Sequence, residues 1–290
     1  MRKEKVVRIA FVLKFRAAPH QMWSDVGQRL GELGASVEYI HPDSQLTDLS
    51  HTRVEHDLYV LKYTSGMGLS LAGALHAAGA AILNPYPVAA LCRDKILTTA
   101  ALAAGGVPMP DTWVTGDPTR LADLLDDGPI VIKPYTGSGG VGVTVIRHPN
   151  ELVDLPLESG PLFIQRYHRP EGVDRKMYVI GGEVFCVERV WPAKTYEEKL
   201  GRSVEPSKEM RDIARLCASA IGADIFGFDI VYSAGLPYVV DLSSFPGFKG
   251  VPDAPQLLAD AIAAAAHASC AGSSSSRGWN DEARSALGHS

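Results

Sequence analysis

The 290-residue sequence lacks a cysteine framework. Its four cysteines, Cys92, Cys186, Cys217 and Cys270, are scattered without a C-x-x-C pair, so neither a disulfide scaffold nor a zinc site is suggested, and reduced buried thiols are expected. An excess of one charge is also missing. The chain has 28 Lys and Arg against 33 Asp and Glu, a formal net charge of −5, which leaves no basic stripe and makes nucleic acid an unexpected partner. No run of 18 apolar residues occurs, so no membrane is expected to be spanned. "MRKEKVVRIAFVLKF" regains charge too quickly for a secretory signal, and the expected location is the cytoplasm. There is no internal repeat. With 46% hydrophobic residues, the chain has enough apolar material for a real core divided over two or three subdomains.

What is present begins with alternating strand and helix signals. "VVRIAFVL", then Met22, Trp23, Val26, Leu30 and Leu33 at helical spacing, "ASVEYI", "DLYVLK", "LSLAGALHAAG" and "AAILN" predict a parallel α/β segment. Ligands of such sheets bind beyond the carboxyl ends of the strands. Two of these ends carry Lys14 and Lys62, with Arg16 and His20 close behind Lys14, and the pair points to an anionic ligand. A helix over "NPYPVAALCRDKILTTAALAAGG", short helices at "TRLADLL" and "PNELVDL", a helix over "SKEMRDIARLCASAIG" and a last helix from about Asp253 follow. The serine- and glycine-rich end reads as a mobile tail.

"KPYTGSGGVGV" carries the spacing Gly137-x-Gly139-x-x-Gly142, which a dinucleotide fold places between a strand and a helix. Here "PIVIKPY" precedes the loop as a strand, but "VGVTVIRH" follows it as another. A strand, a glycine loop and a strand make a hairpin, and such a hairpin with a lysine at its base suits the phosphates of ATP better than NAD. Further on, "FGFDIVYSAGLPYVVDLSS" reads as a second hairpin turning near Gly235. That register sets Asp229 opposite Asp241, with Ser243 on the face of Asp241. Two opposed carboxylates repel unless a cation lies between them, and such oxygen ligands suit Mg²⁺ bound together with phosphates. Without that cation, amide replacement of either acid is expected to stabilise the protein slightly.

From about Leu83 to Pro252 the ordered pieces "RDKILTTAALAAGGVPMPDTW", "VIKPYTGSGGVGV", "FIQRYHRPEGVDRKMYVIGGEVFCVERV" and "FGFDIVYSAGLPYVVDLSSFPGFKG" resemble the ATP-grasp superfamily. The resemblance implies an α/β ATP-grasp fold. Its expected parts are an N-terminal parallel α/β domain over 1–83, a central subdomain with the glycine loop over 84–160, a C-terminal subdomain with the metal site over 161–270, and the tail 271–290. It implies that Lys95 and Lys133 contact phosphates and that Ser138, Gly139, Gly140 and Gly142 form the loop closing over them. Gln165, Arg166 and Tyr167 match the hinge strand whose backbone recognises adenine, with Arg166 standing where the family usually has Glu. Asp174 falls where some members bind ribose. Lys176 and Arg189 resemble the cationic pair that stabilises the transferring phosphoryl group. Asp229, Asp241 and Ser243 match a metal triad usually written D…E-x-N, so one acid is shorter here and an amide has become a hydroxyl.

ATP and Mg²⁺, with Mn²⁺ as a substitute, are the implied cofactors. The layout resembles the ribosomal-protein S6 glutamate ligase group, which implies a carboxylate–amine ligase working through an acyl phosphate. "VDRKMYVIGGEVFCVERV" and the D-x-S-x-F-P-G ending also resemble inositol trisphosphate kinases, the alternative being transfer to a hydroxyl of an anionic polyol. A third possibility is a non-catalytic nucleotide-binding module. The expected partners are a small anionic acceptor and an amine or amino acid. Cations near the cleft are counted as Lys14, Arg16, Lys62, Arg175, Lys176, Arg189 and Lys249. The acceptor, the pathway and the oligomeric state stay open.

Overall fold

The computed structural model describes residues 6–17, 20–137, 141–153, 160–191 and 195–272. The chain divides into two compact units, residues 1–86 with 253–290, and residues 87–252.

In the first unit, β1 (Arg8–Val12), α1 (Gln21–Glu32), β2 (Ser36–Ile40), β3 (Leu58–Leu61), α2 (Gly66–Ala77) and β4 (Ile82–Leu83) alternate as the sequence patterns predict. The strands form a parallel sheet in the order β2-β1-β3-β4. Ile9, Ala10, Phe11 and Val12 on β1 and Leu58, Tyr59, Val60 and Leu61 on β3 are all buried, as strands covered on both faces must be.

The second unit opens with α3 (Tyr86–Arg93) and α4 (Lys95–Ala104), where the sequence reads as one helix. Asp94 interrupts it: its extended backbone and its carboxylate, which accepts from the N–H groups of Ile96 and Leu97, cap α4 afresh. There follow β5 (Thr112–Thr115), β6 (Ile130–Pro134), β7 (Thr144–Ile146), β8 (Leu162–Arg166), β9 (Val173–Ile180), β10 (Glu183–Val190), α5 (Tyr196–Leu200), β11 (Arg202–Val204), α6 (Lys208–Ile221), β12 (Ile225–Ser233) and β13 (Leu236–Ser244). The short helix expected near 120 is two successive 3₁₀ turns, and the one near 150 is a single 3₁₀ turn. The strands make two antiparallel sheets, β5-β8-β6-β7 and β11-β10-β9-β12-β13. Strands β6 and β7 pair antiparallel across the glycine loop, which is the hairpin read from the sequence.

Alternation divides the five-stranded sheet into two chemistries. Met177, Val179, Cys186, Phe226, Phe228, Ile230, Val239 and Leu242 share a core with Met210, Ile213, Ala214, Cys217 and Ile221 of α6. The other face carries Asp174, Lys176, Asp229, Asp241 and Arg189. The last helix, α7 (Ala254–Gly272), begins where the sequence places it, but it packs on α1 and β3 and so belongs to the first unit rather than to a C-terminal subdomain. Leu258, Ala259, Ile262 and Ala266 are fully buried there, and that apolar stripe decides its place. The tail from 273 lies outside the described residues.

Candidate functional site

The β12–β13 hairpin turns on two residues, Ala234 and Gly235, both at positive φ (51° and 74°), as a tight two-residue connection requires. Ser233 therefore faces Leu236, and strict pairing from that turn would set Asp229 opposite Val240. A bulge corrects it. Ile230 pairs with Val239, but Asp229 pairs with Asp241, so Val240 is an extra residue and the alternation reverses beyond it. The two aspartates are opposed, as the sequence suggests, although the turn is centred half a residue away from Gly235 and the bulge restores the register.

The bulge also exposes a carbonyl. Lys133, near the end of β6, donates to Val240 O at 2.9 Å and to Gln165 Oε1 at 2.7 Å, while Gln165 Nε2 reaches Thr112 Oγ1 at 3.2 Å. Burial pushes the Lys133 ammonium down to about 8, with Asp241 opposing and Lys95 adding to the fall. Lys95, the first residue of α4, spans from Asp241 Oδ1 (2.8 Å) to the carbonyl of Gly137 in the glycine loop (3.3 Å). The helix break at Asp94 gives Lys95 this position.

Asp229 receives Lys176 Nζ at 3.0 Å and Arg189 Nη2 at 3.0 Å. Burial works to raise its pKa, but Lys176 and Arg189 together outweigh that and hold the carboxyl below its usual range. Arg189 also makes a two-bond fork with Asp174, both contacts at 2.8 Å. Asp174 is buried, which raises its pKa against the pull of Arg189, and both of its oxygens accept from that arginine. The repulsion expected between Asp229 and Asp241 is thus already answered by Lys95, Lys176 and Arg189.

Ser243 is half-buried on the same face as Asp241. Among the described residues no three His, Cys, Asp or Glu side chains converge on one point. Two carboxylates and a hydroxyl on one face are nonetheless a donor set for a hard cation that takes its other oxygens from phosphates and water.

Other expected residues are placed differently. Arg166 turns away from Gln165, as its neighbour on a strand must. Its Nη1 donates to Leu124 O and Gly128 O at 2.9 and 2.6 Å, and its guanidinium lies over Trp113 at 5.2 Å. Its backbone N–H is taken by Asp111 O, and that of Tyr167 by Pro129 O. The Tyr167 ring lies beneath Arg147 at 5.8 Å. Arg175 is on the α6 side of the sheet, bound to Glu188 at 3.0 Å and over Tyr232 at 4.8 Å, so it is no part of the charged face. Lys249 is exposed on the segment after β13. Lys14, Arg16 and Lys62 belong to the first unit. Gly142 sits at φ 73°, and a Cβ there would come within 2.8 Å of Pro134, so only glycine lets the hairpin close. Ser138, Gly139 and Gly140 lie outside the described residues.

Tyr178 went unnoticed in the sequence, although it is two residues beyond Lys176 and therefore on the same face. The backbone of Lys249 hydrogen-bonds its hydroxyl, and burial followed by the Asp229 charge raises its pKa. It ties the segment bearing Phe245 and Phe248, both buried at positive φ (52° and 48°), to the charged face.

The family model for the RimK-like ATP-grasp domain matches residues 92–264. The chain belongs to that family. A probable alpha-L-glutamate ligase of Aliivibrio salmonicida is 28% identical over 190 residues, which are 59% of this chain and 63% of that protein. A ribosomal protein bS6–L-glutamate ligase of Salmonella newport is 27% identical over 186 residues, 58% of this chain and 61% of that one. The matches thus span less than two thirds of these relatives. A RimK domain ATP-grasp protein from Sphaerobacter thermophilus aligns with TM-score 0.73 at 15% identity, covering 89% of this chain and all of that one. D-alanine–D-alanine ligase from Bacillus anthracis aligns at 0.69 and 17%, covering 91% and 98%. At these identities the solved structures speak for the ATP-grasp fold. Among the described residues no helix is long and apolar enough to cross a membrane.

Proposed function

We propose that the protein is an ATP- and Mg²⁺-dependent carboxylate–amine ligase of the cytoplasm, with a small anionic acceptor and an amine or amino acid as its partners. The observation that carries the reading is the single sheet face on which two cations, Lys176 and Arg189, meet Asp229, while Lys95 joins Asp241 to the glycine loop. The names of the relatives favour a ligase over transfer to a hydroxyl.

In this reading Lys95 and Lys133 bind the nucleotide's phosphates. Asp229, Asp241 and Ser243 hold Mg²⁺, which neutralises phosphate charge when bound. The γ-phosphoryl group passes to a carboxylate oxygen of the acceptor and ADP leaves with the electrons of the broken P–O bond. Lys176 and Arg189 are positioned to stabilise the charge on the group in flight. The amine nitrogen then attacks the acyl carbon, loses a proton, and inorganic phosphate departs.

On this face the aspartates and cations neutralise one another. ATP phosphates offer the lysines and arginine alternative anions, and that exchange frees carboxylate oxygens for the metal. The test is product analysis with pools of carboxylates and amines. ADP and inorganic phosphate should appear in equal amounts, with hydroxylamine replacing the amine by trapping the acyl phosphate. A stable phosphorylated product formed without an amine and without free phosphate sinks the proposal.

A further inference from the structure

In the first unit, Val12 pairs with Leu61, and the N–H groups of Lys62 and Tyr63 both donate to Val12 O at 3.2 and 2.9 Å, so β1 and β3 end at one level. Three cations leave the sheet there: Lys62 beyond β3, and Lys14 and Arg16 beyond β1. The first turn of α1, which also starts at this end, contains no acid, and the side chain of its N-cap His20 makes no capping bond. Gln21 and Met22 thus offer first-turn amides with the positive end of a 12-residue helix behind them.

Lys62 is the unusual member. Its ammonium is largely desolvated, 6.0 Å from the centre of the Trp23 ring, and the charge that acts on it is the like charge of Arg16. Among the described residues no carboxylate meets it. Two acids lie at this end and each already accepts a hydrogen bond: Asp43 takes the Phe15 N–H, between Lys14 and Arg16, at 2.9 Å, and Asp25 takes Gln21 Nε2 at 2.8 Å on α1. A half-buried cation facing another cation is costly unless an anion joins them. Packing gives no reason to keep a charge there, whereas binding does.

We propose that the carboxyl ends of β1 and β3 form a carboxylate site, with Lys62 as its inner charge, Arg16 as the fork at its rim and the first-turn amides of α1 as its third wall. The planar guanidinium of Arg16 matches a carboxylate with two parallel N–H bonds, and Lys62 supplies a point charge behind it. Only the assignment of this carboxylate to the acceptor substrate rests on the ligase reading; the site itself does not.

The experiment is calorimetry on the full chain without nucleotide, with succinate and inorganic phosphate as probes. Succinate should bind the wild type, at least about tenfold more weakly after Lys62→Met or Arg16→Met, and within about threefold of wild type after Lys62→Arg, which keeps the charge. Lys133→Met, which disables the other anion site, should leave succinate affinity within about twofold. Failure of succinate to bind, indifference to Lys62→Met, or loss in Lys133→Met overturns the proposal. Phosphate binding tenfold tighter than succinate and dependent on Lys62 overturns the carboxylate assignment. A ligase reading that fails in the product assay leaves these binding results untouched, so the two failures are separable.

Discussion

Three cations on the charged face of the second unit and the strand-end lysine of the first are kept in opposite conditions. On the charged face of the second unit each of Lys95, Lys176 and Arg189 has a carboxylate within 3.0 Å. At the strand ends of the first, Lys62 has no carboxylate partner among the described residues and faces the charge of Arg16. Paired charges can be prised apart by a ligand that replaces both partners, which suits a nucleotide carrying its own metal. Unpaired charges wait for an anion that brings none. The difference separates a site whose resting electrostatics are balanced from one that carries a standing cost.

Breaking the balance in the second unit should have the largest effect. Asp229→Asn leaves Lys176 and Arg189 without their shared acid, and removing one partner of a buried ion cluster costs about 3–5 kcal/mol. Urea unfolding should show that loss, and magnesium titration of ADP formation should show a steeply raised requirement. The slight stabilisation expected from relieving carboxylate repulsion is thereby reversed in sign, because the structure has already placed cations between the acids. Asp241→Asn frees only Lys95 and should cost less. Equal stability of both variants and wild type would mean the pairs contribute nothing.

Lys133→Ala should come next. The lysine is held by Gln165 Oε1 and the Val240 carbonyl rather than by packing, so the fold should survive while ADP formation falls by about 10²–10³, the usual loss for one preorganised charged donor. Circular dichroism and nucleotide affinity measured on the same sample separate the two. A folded variant with wild-type nucleotide affinity removes Lys133 from the phosphate site.

How far these residues could be read in advance depends on what the chain alone encodes. Strand alternation sets Lys176 apart from Arg175, so the latter's inclusion among the site cations was avoidable; the same rule also flags Tyr178. The opposition of Asp229 and Asp241 follows from symmetry about a turn, yet it holds only because of the bulge at Val240, which has no signature in "YVVDL". Lys95 looks like an ordinary helical lysine until Asp94 caps a new helix before it. Long-range pairs such as Lys95 with Asp241 depend on the start of α4 meeting a sheet face, and local patterns carry no record of that.

A milder change sharpens the first unit's side of the comparison. Burial, helped by Arg16, pushes the folded Lys62 down to about 8, against an ordinary lysine value of about 10.5. Between these values the unfolded chain binds more protons, so stability should rise with pH across the interval. The penalty is full below about pH 8 and disappears towards 10.5. Arg16, Lys14 and His20 lie at this end together with the acids Asp43, which accepts the Phe15 N–H, and Asp25, which accepts from Gln21; none of these acids pairs with Lys62 among the described residues. Lys62→Met should therefore stabilise the protein by about 1–3 kcal/mol at pH 7 and flatten that rise. A destabilised variant, or an unchanged slope, removes the standing cost on which the contrast rests.

The smallest effect on turnover should come from Arg166→Ala, although Arg166 sits next to Gln165 in sequence and matches a strand expected to meet adenine. Its side chain closes the carbonyls of Leu124 and Gly128 and covers Trp113, all on the far side of β8 from Gln165. Losing two charge-assisted bonds should lower unfolding stability by about 2–4 kcal/mol, while ADP affinity and the rate of ADP formation in the folded protein stay within about twofold. Stability and nucleotide binding then move independently, as they should if alternation rather than adjacency decides which side chains reach the nucleotide. A tenfold loss of ADP affinity without loss of stability would return Arg166 to the site and make the face assignment of β8 wrong.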